Sequence, residues 1–416
     1  MNRYAKERRN PPVKPVRRVE VSNETPKWKW FLIVGLLAVG VTLIAVALTE
    51  MLTTDPGWQT ISVNTQEANC GDEFVFSYYL GAGEESVAVE TKRVSGVYTD
   101  AAVQAYRLFH GEEGFEGIHN VYYLNNHIGE AVEVDASLYH ALSLLKDNRY
   151  LYLAPIYREY RGMFLCEDDF YAESYDPVKN SEQGTYFREI LYYVNQPEMI
   201  SLELLGNNTV RLNVAQEYLN FAKENEIQTF VDFYWMKNAF IADYLANALL
   251  EKGFTKGTIS SYDGFTRNLD SSQEKYKFNL FHRQDKDIYA AAVMEYQNVS
   301  AIVNLRTYPM NNLEKLNYYT WQDGTTTTPY IDVADGISKT ALSDIVAYSQ
   351  TAQCGEILAK LMPLYIRERV EEDELATLRD ADIHYVYFRE FQLCSSDKTV
   401  TFSDFYKKDG IEFALQ

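Results

Sequence analysis

The chain has 416 residues, 33 of them Tyr and 21 Phe, and a formal net charge of −20. Such acidity excludes a nucleic-acid binder, because neutralising backbone phosphates requires clustered Lys and Arg. The large number of bulky apolar side chains also excludes a disordered chain, since it allows an extensive core.

The charge is divided sharply along the sequence. Residues 1–29 hold nine Lys or Arg against three Glu, a net of +6, which leaves −26 on residues 30–416. Between the two regions, residues 31–48 form an uncharged run of eighteen residues. That length just spans a hydrocarbon core as a helix, and Trp28 and Trp30 stand at its basic end, where indoles favour the membrane interface.

This pattern predicts a disordered basic cytoplasmic tail over residues 1–28, a transmembrane helix over 29–49, a linker over 50–72 and an extracytoplasmic domain over 73–416. The protein is then a single-pass protein of the cell membrane with its N-terminus in the cytoplasm. A cleaved signal peptide is the alternative, because Ala45-Val46-Ala47 offers a small-x-small site. In both cases the large acidic domain lies outside the cytoplasm.

Four cysteines follow the apolar segment, and none belongs to a C-x-x-C pair or lies beside a histidine at ligand spacing. A structural zinc site is therefore not expected. Outside the cytoplasm one or two disulfides are as plausible as free buried thiols, and the spacing does not decide the pairing. The residues concerned are Cys70, Cys166, Cys354 and Cys394.

In the domain, residues 74–80 have the composition of a strand. Val132 and Val134 alternate as in a second strand, and Asp135 or Ser137 can cap a helix that follows. A Gly-Asn-Asn turn at residues 206–208 predicts a hairpin before a strand at 210–214. No internal repeat is present.

The central segment predicts a strand at residues 230–233, a helix over 238–252 ended by Gly253, and a strand at 258–260. A second helical pattern covers residues 340–365, and a short charged helix at 371–380 precedes an apolar strand at 383–388. Strands and helices that alternate, with several strands adjacent, predict an α+β (mixed α/β) body.

Several segments also match, in the same order, those of a known family. Residues 232–243 align without a gap to the signature D-L-G-G-I-A-K-G-Y-A-V-D, and they keep Asp232 and Asp243. Ser95-Gly96-Val97-Tyr98 and Tyr123-Leu124-Asn125 match earlier segments, and Asp344 matches the later metal-binding D-A-x-x-T. From Gly71 to about Phe391 the chain thus resembles the ApbE family of extracytoplasmic flavin transferases.

Members of that family bind FAD and a divalent cation, and many attach FMN to a Thr of a partner protein. Asp344 is then the expected ligand of Mg²⁺. The residues that the resemblance places at the flavin nucleotide are Asn125, Asp232, Lys237, Asp263 and Asp332.

The chain departs from the family at most of the remaining site positions. Tyr234 and Trp235 replace both signature glycines, which allow a backbone to approach a cofactor closely, so a filled pocket is expected. The other replacements are Asn238 for lysine, Pro329 for histidine and Tyr348 for threonine.

We therefore expect no FAD or Mg²⁺ to bind, and interpret the protein as a non-catalytic relative that binds or scaffolds a cell-envelope partner. A divergent Mg²⁺-dependent flavin transferase is the alternative. The six His show no paired spacing and are expected to have solvated or structural roles.

Overall fold

The computed structural model describes residues 55–83, 85–270, 275–408 and 410–416. The predicted cytoplasmic tail (residues 1–28) and transmembrane helix (29–49) lie outside these ranges. Among the described residues, no helix combines the length and apolar character needed to cross a membrane.

Helices of very different length are distributed along the described ranges. In chain order they are α1 (Val87–Leu108), α2 (Val121–Asn126), α3 (Ala136–Leu145), α4 (Ala154–Phe164), α5 (Asp169–Ala172), α6 (Ser181–Val194), α7 (Gln216–Glu224), α8 (Lys237–Glu251), α9 (Cys354–Tyr365) and α10 (Glu372–Ala376).

The strands of the described ranges alternate with these helices and then dominate the C-terminal third. In chain order they are β1 (Gly57–Ile61), β2 (Phe74–Leu80), β3 (Val132–Glu133), β4 (Ile200–Gly206), β5 (Thr209–Val214), β6 (Gly257–Ser261), β7 (Phe265–Asn268), β8 (Tyr276–Gln284), β9 (Asp287–Tyr296), β10 (Ala301–Arg306), β11 (Tyr319–Thr320), β12 (Thr326–Thr327), β13 (Asp344–Ser349), β14 (Ile383–Arg389), β15 (Gln392–Ser395), β16 (Thr401–Ser403), β17 (Lys407–Lys408), β18 (Ile411–Glu412) and β19 (Ala414–Leu415).

The main sheet has nine strands in the order β1-β2-β6-β7-β10-β13-β14-β15-β19. Its neighbours pair antiparallel except for β15 and β19, which are parallel. Smaller sheets have the orders β16-β9-β8 and β3-β5-β4. This arrangement of a large antiparallel sheet with separate helices confirms the predicted α+β class.

The central strands are buried on both faces, because each face packs against a different core. Along β10, Val303 and Leu305 join the larger core, whereas Ile302 points into a second core built with β8 and β9. On β13, Ala347 and Tyr348 alternate in the same way. Successive strand side chains point to opposite faces, so both strands are apolar throughout their middle residues.

Helix α8 lies on the face of the larger core, against α1, α9 and strands β6 and β7. Gly253 follows it with a φ of +83°, the left-handed conformation expected of a glycine after a helix. α8 and β6 confirm the predicted helix over 238–252 and the predicted strand at 258–260. The hairpin between β4 and β5 and the Asp135 cap of α3 are also confirmed.

Three sequence predictions are wrong in detail. Residues 230–233 form no strand: Asn125 accepts hydrogen bonds from the N–H groups of Phe230 and Val231, so a side chain takes the place of a neighbouring strand. Residues 344–349 form β13 rather than helix, because a fully buried central strand is as apolar as a helix interior. β1 lies inside the predicted linker, so the sheet begins at Gly57.

All four cysteines are free thiols. Three of them are buried, and burial raises the pKa of Cys70 to about 12. This outcome decides the question that the spacing left open, in favour of thiols that pack as small apolar groups.

Candidate functional site

A cavity of about 430 Å³ opens at the N-terminal end of α8. Side chains reach it from the residue before β2 (Glu73), the segment after α1 (His110 and Glu112), the turn between β6 and β7 (Asp263) and the residues after Arg306 that precede β11 (Glu314). The volume is within the range of small-molecule sites. The segment that matches the family signature supplies its inner wall.

Tyr234 and Trp235 belong to that inner wall. Tyr234 has a φ of +47°, which lies in the left-handed region that favours glycine. The backbone at this position therefore has a glycine-like conformation although the residue is tyrosine. Its ring stacks on Tyr157 at 5.0 Å between centroids, and Trp235 meets Tyr330 edge-on at 4.9 Å. A cavity remains beside both residues, which corrects the expectation of a filled pocket.

A network of charged and amide groups lies beside these rings. Lys237 Nζ donates to Glu73 Oε1 at 3.0 Å. Asn238 Nδ2 donates both to Glu73 Oε2 and to Asp263 Oδ2, each at 3.0 Å. Asn238, which occupies the family's lysine position, thus bridges two carboxylates. Its own Oδ1 is buried and accepts no hydrogen bond from any described residue.

On another part of the wall, Arg161 forms an ion pair with Glu112. The hydrogen bond from Arg161 lowers the pKa of Glu112, while burial lowers the pKa of His110. Asp232 Oδ1 accepts a hydrogen bond from the backbone N–H of Tyr234 at 3.2 Å, and burial raises the pKa of Asp232. This wall therefore holds one compensated ion pair and one poorly solvated carboxyl group.

The balance of charge in the cavity is negative. Five carboxyl groups line it, those of Glu73, Glu112, Asp232, Asp263 and Glu314, whereas the lining cations are Lys237 and Arg161. Arg306, which is not a lining residue, pairs with Glu314 at 2.5 Å. Burial, reinforced by Glu73 and Glu314, raises the pKa of Asp263 to about 6. The carboxylates thus outnumber the cations even when Arg306 is included.

The structure brings three of the sequence-predicted site residues together and leaves three elsewhere. Asp232, Lys237 and Asp263 line the cavity. Asn125 is buried and holds the backbone of residues 230 and 231. Asp332 pairs with Lys339 at 3.2 Å and accepts the backbone N–H of Gly336 through its own carbonyl.

Asp344, the predicted metal ligand, is buried in a contact with His282, whose Nδ1 lies 2.7 Å from Asp344 Oδ2. Burial raises the pKa of Asp344, although the hydrogen bond from His282 opposes that shift. Among the described residues, no group of three or more His, Cys, Asp or Glu is arranged to hold a metal ion.

Sequence reasoning missed Glu73, Glu112, Arg161 and Glu314, and it gave His110 no role in the site. These residues come from separate segments and belong to no motif. Glu73 immediately precedes the predicted strand β2, but only the pairing of Phe74 with Ser261 brings it to the turn that carries Asp263. His282, a buried residue satisfied by Asp344, has the structural role that was expected of the histidines.

No protein-family model and no curated protein matches the sequence. Solved structures do match in shape. The ApbE protein of Thermotoga maritima is 11% identical with a TM-score of 0.54, over 83% of this chain and 97% of that one.

The flavin transferase ApbE of Vibrio cholerae is 11% identical with a TM-score of 0.49, over 86% of this chain and 99% of that one. The apo flavinyl transferase ApbE of Pseudomonas stutzeri is also 11% identical, with a TM-score of 0.47, over 81% and 92%. Identity this low establishes fold without activity. Because its structure is similar to that of the Thermotoga protein, the folded body of this chain has an ApbE-like fold.

Proposed function

We propose that this protein is a membrane-anchored, extracytoplasmic ApbE-like protein that does not transfer flavin and instead binds a partner protein of the cell envelope. One observation carries the proposal: the cavity at the family's signature segment is lined by carboxylates and by the rings of Tyr234 and Trp235. The excess of carboxylates over cations differs from what an anionic flavin dinucleotide needs.

The residues present do not fit FAD. A diphosphate is anionic, and its binding requires N–H donors or cations aimed at it. The cavity offers Lys237 and Arg161, but Glu73 and Glu112 already pair with them. A bound diphosphate would also face Asp232 and Asp263 in a poorly solvated space, where repulsion between like charges is weakly screened.

The residues present do not fit a divalent cation at the family's position either. Asp344 Oδ2 accepts the hydrogen bond from His282, and both residues are buried away from the cavity. A cation there would have to displace His282 and recruit further oxygen ligands. The observation that favours the alternative, a divergent Mg²⁺-dependent flavin transferase, is that a cavity remains at all.

The purified full chain in detergent is expected to bind no FAD, with or without Mg²⁺, and to transfer no FMN to threonine peptides. A ligand that binds only the native state must raise its melting temperature. Titration with micromolar FAD should therefore leave both the melting temperature and the flavin fluorescence unchanged. A flavin transferase of the ApbE family in the same detergent is the positive control. A saturable rise in melting temperature with FAD would replace this proposal by the alternative.

The proposed anchor predicts a topology. With +6 before the uncharged run of residues 31–48 and −26 after it, the folded body should face away from the cytoplasm. Protease added to intact cells should digest the body and spare a short fragment that carries an N-terminal tag. Protection of the entire chain would contradict the orientation, and a soluble product that begins near residue 48 would indicate a cleaved signal peptide.

A further inference from the structure

We infer that the cavity accepts the cationic head of a Lys or Arg side chain presented by an apolar segment of the partner protein. The inference rests on the proposed function, partner binding, and adds the chemistry by which the partner is recognised. The inferred ligand is therefore a protein segment that carries a basic side chain among apolar residues.

The charge of the cavity is the first reason. Lys237 and Arg161 are held by Glu73 and Glu112, so the carboxyl groups of Asp232 and Asp263 have no cation of their own in the lining. Within the described ranges, the side chain of Asp232 accepts one hydrogen bond, from the backbone N–H of Tyr234. An ammonium or guanidinium group would supply both the missing charge and several N–H donors.

The second and independent reason is the side-chain amide of Asn238, which is only 5% exposed. Donation of Nδ2 to Glu73 and Asp263 fixes the direction of this amide, and leaves Oδ1 as a buried acceptor with no donor among the described residues. A buried acceptor without a partner costs free energy. Asn238 lines the cavity, so a donor group that enters there meets the residue that carries this acceptor.

The rim of the cavity indicates that the cation arrives on a protein segment. Leu165, Leu313 and Leu316 line the opening and are 70%, 51% and 55% exposed. Tyr262 joins them at 40%. Exposed leucines grouped around a polar pocket form the kind of apolar ring that excludes water from a central charged contact at protein interfaces. A small free amine would leave this ring uncovered.

The aromatic inner wall suits the same occupant. The methylene stem of Lys or Arg can pack against Tyr234 and Trp235, which line the cavity. The inferred contact therefore combines acidic acceptors inside, aromatic walls around the stem and leucines around the backbone of the partner segment.

The test uses the full chain in detergent, labelled with 5-fluorotryptophan, so that ¹⁹F NMR reports on each of its 5 Trp. The Trp235 resonance is assigned with Trp235→Phe. The probe is a short acetylated and amidated peptide in which one Lys is flanked by Leu residues. A matched peptide carries norleucine instead of Lys, which keeps the stem and removes the charge.

We expect the Lys peptide to shift the Trp235 resonance saturably and the norleucine peptide to leave it unchanged. Asp263→Asn should weaken binding about tenfold or more, since a charge-assisted hydrogen bond is lost. Leu313→Ser combined with Leu316→Ser should also weaken it. Asp100→Asn, which removes an exposed carboxylate of α1, is the matched control and should bind the Lys peptide normally.

Several results would overturn the inference. They are equal binding of the norleucine peptide, a shift produced by Mg²⁺ or Ca²⁺ alone, binding of n-butylammonium as tight as that of the peptide, and no shift with any basic probe. An FAD arm in the same assay separates the two proposals. A shift of the Trp235 resonance with FAD would contradict the proposed function. If neither FAD nor the basic peptides shift this resonance, only the inference about the cationic side chain is contradicted.

Discussion

Replacing Asp243 by Ala is expected to lower the free energy of unfolding of the folded body by about 3–5 kcal/mol, the usual cost of removing one member of a buried ion pair. Asp243 Oδ1 accepts from Arg267 at 2.6 Å, and both side chains are buried. The same carboxylate accepts the backbone N–H groups of Cys354 (3.0 Å) and Gly355 (2.8 Å) at the start of α9.

The size of the effect follows from what remains after the substitution. Arg267 would be an uncompensated charge inside the core, and two N–H groups of the first turn of α9 would lose their acceptor. Asp243 lies on α8, Arg267 on β7 and the two N–H groups on α9, so one side chain joins three elements. Its loss should therefore loosen the packing of α8 against the sheet.

Urea unfolding of the detergent-purified chain, followed by tryptophan fluorescence, measures this change. Asp243→Asn is the matched variant, because it keeps the volume and one oxygen acceptor, and it should cost less than Asp243→Ala. Replacing both partners, with Asp243→Leu and Arg267→Met, should recover part of the loss, since no charge is left buried. A cost below about 1 kcal/mol for Asp243→Ala would show that the pair is not an effective stabiliser.

Asp263→Asn is expected to stabilise the protein at neutral pH, by about 2–3 kcal/mol at 1.36 kcal/mol for each unit of pKa. Burial, together with Glu73 and Glu314, raises the pKa of Asp263 to about 6, against about 3.9 in an unfolded chain. Asn keeps the shape and an oxygen that can accept from Asn238 Nδ2, and it removes the buried charge.

The sign of the pH dependence follows from the same shift. Between about pH 4 and pH 6 the native state holds the proton of Asp263 while the unfolded chain has released it, so native stability falls as the pH rises through this window. The stability of the Asp263→Asn variant does not fall in this way, because asparagine does not titrate in this pH range. The difference in unfolding free energy between variant and parent should thus be small near about pH 4 and reach its full value above about pH 6.

Urea unfolding of both proteins at a series of pH values checks this expectation, with Asp100→Asn as the control for removal of an exposed carboxylate. A difference that does not change with pH, or a destabilised Asp263→Asn at neutral pH, would contradict it. A stabilised variant that also loses the Lys peptide would show that this carboxylate is kept for binding at a cost in stability.

Local patterns in the sequence predicted much of the fold. The helix over 238–252, its glycine end at Gly253, the hairpin at 206–208 and the capping role of Asp135 depend on residues adjacent in the chain. The order of matched segments predicted the ApbE-like fold. The replacement of two glycines by Tyr234 and Trp235 predicted a filled pocket, whereas a cavity remains beside both residues.

The failures have a common physical origin in contacts between distant segments. Residues 230–233 look like a strand, but Asn125 supplies their hydrogen bonds, and residues 344–349 look helical because a strand buried on both faces loses the alternation that would identify it. Neither partner is visible in the local sequence. Asp344 likewise matched a metal motif, and its actual partner, His282, comes from β8.

By itself, the sequence determined the charge asymmetry, the α+β class and the loss of the family's glycines, because composition and local periodicity are properties of the chain. Only the tertiary structure decided that Glu73, Asp232, Asp263 and Glu314 share one cavity with Asn238 between two of them. Their convergence depends on the pairing of β2 with β6 and on the packing of α8 across the sheet. The electrostatic character of a site arises from distances in space, and sequence separation does not encode those distances.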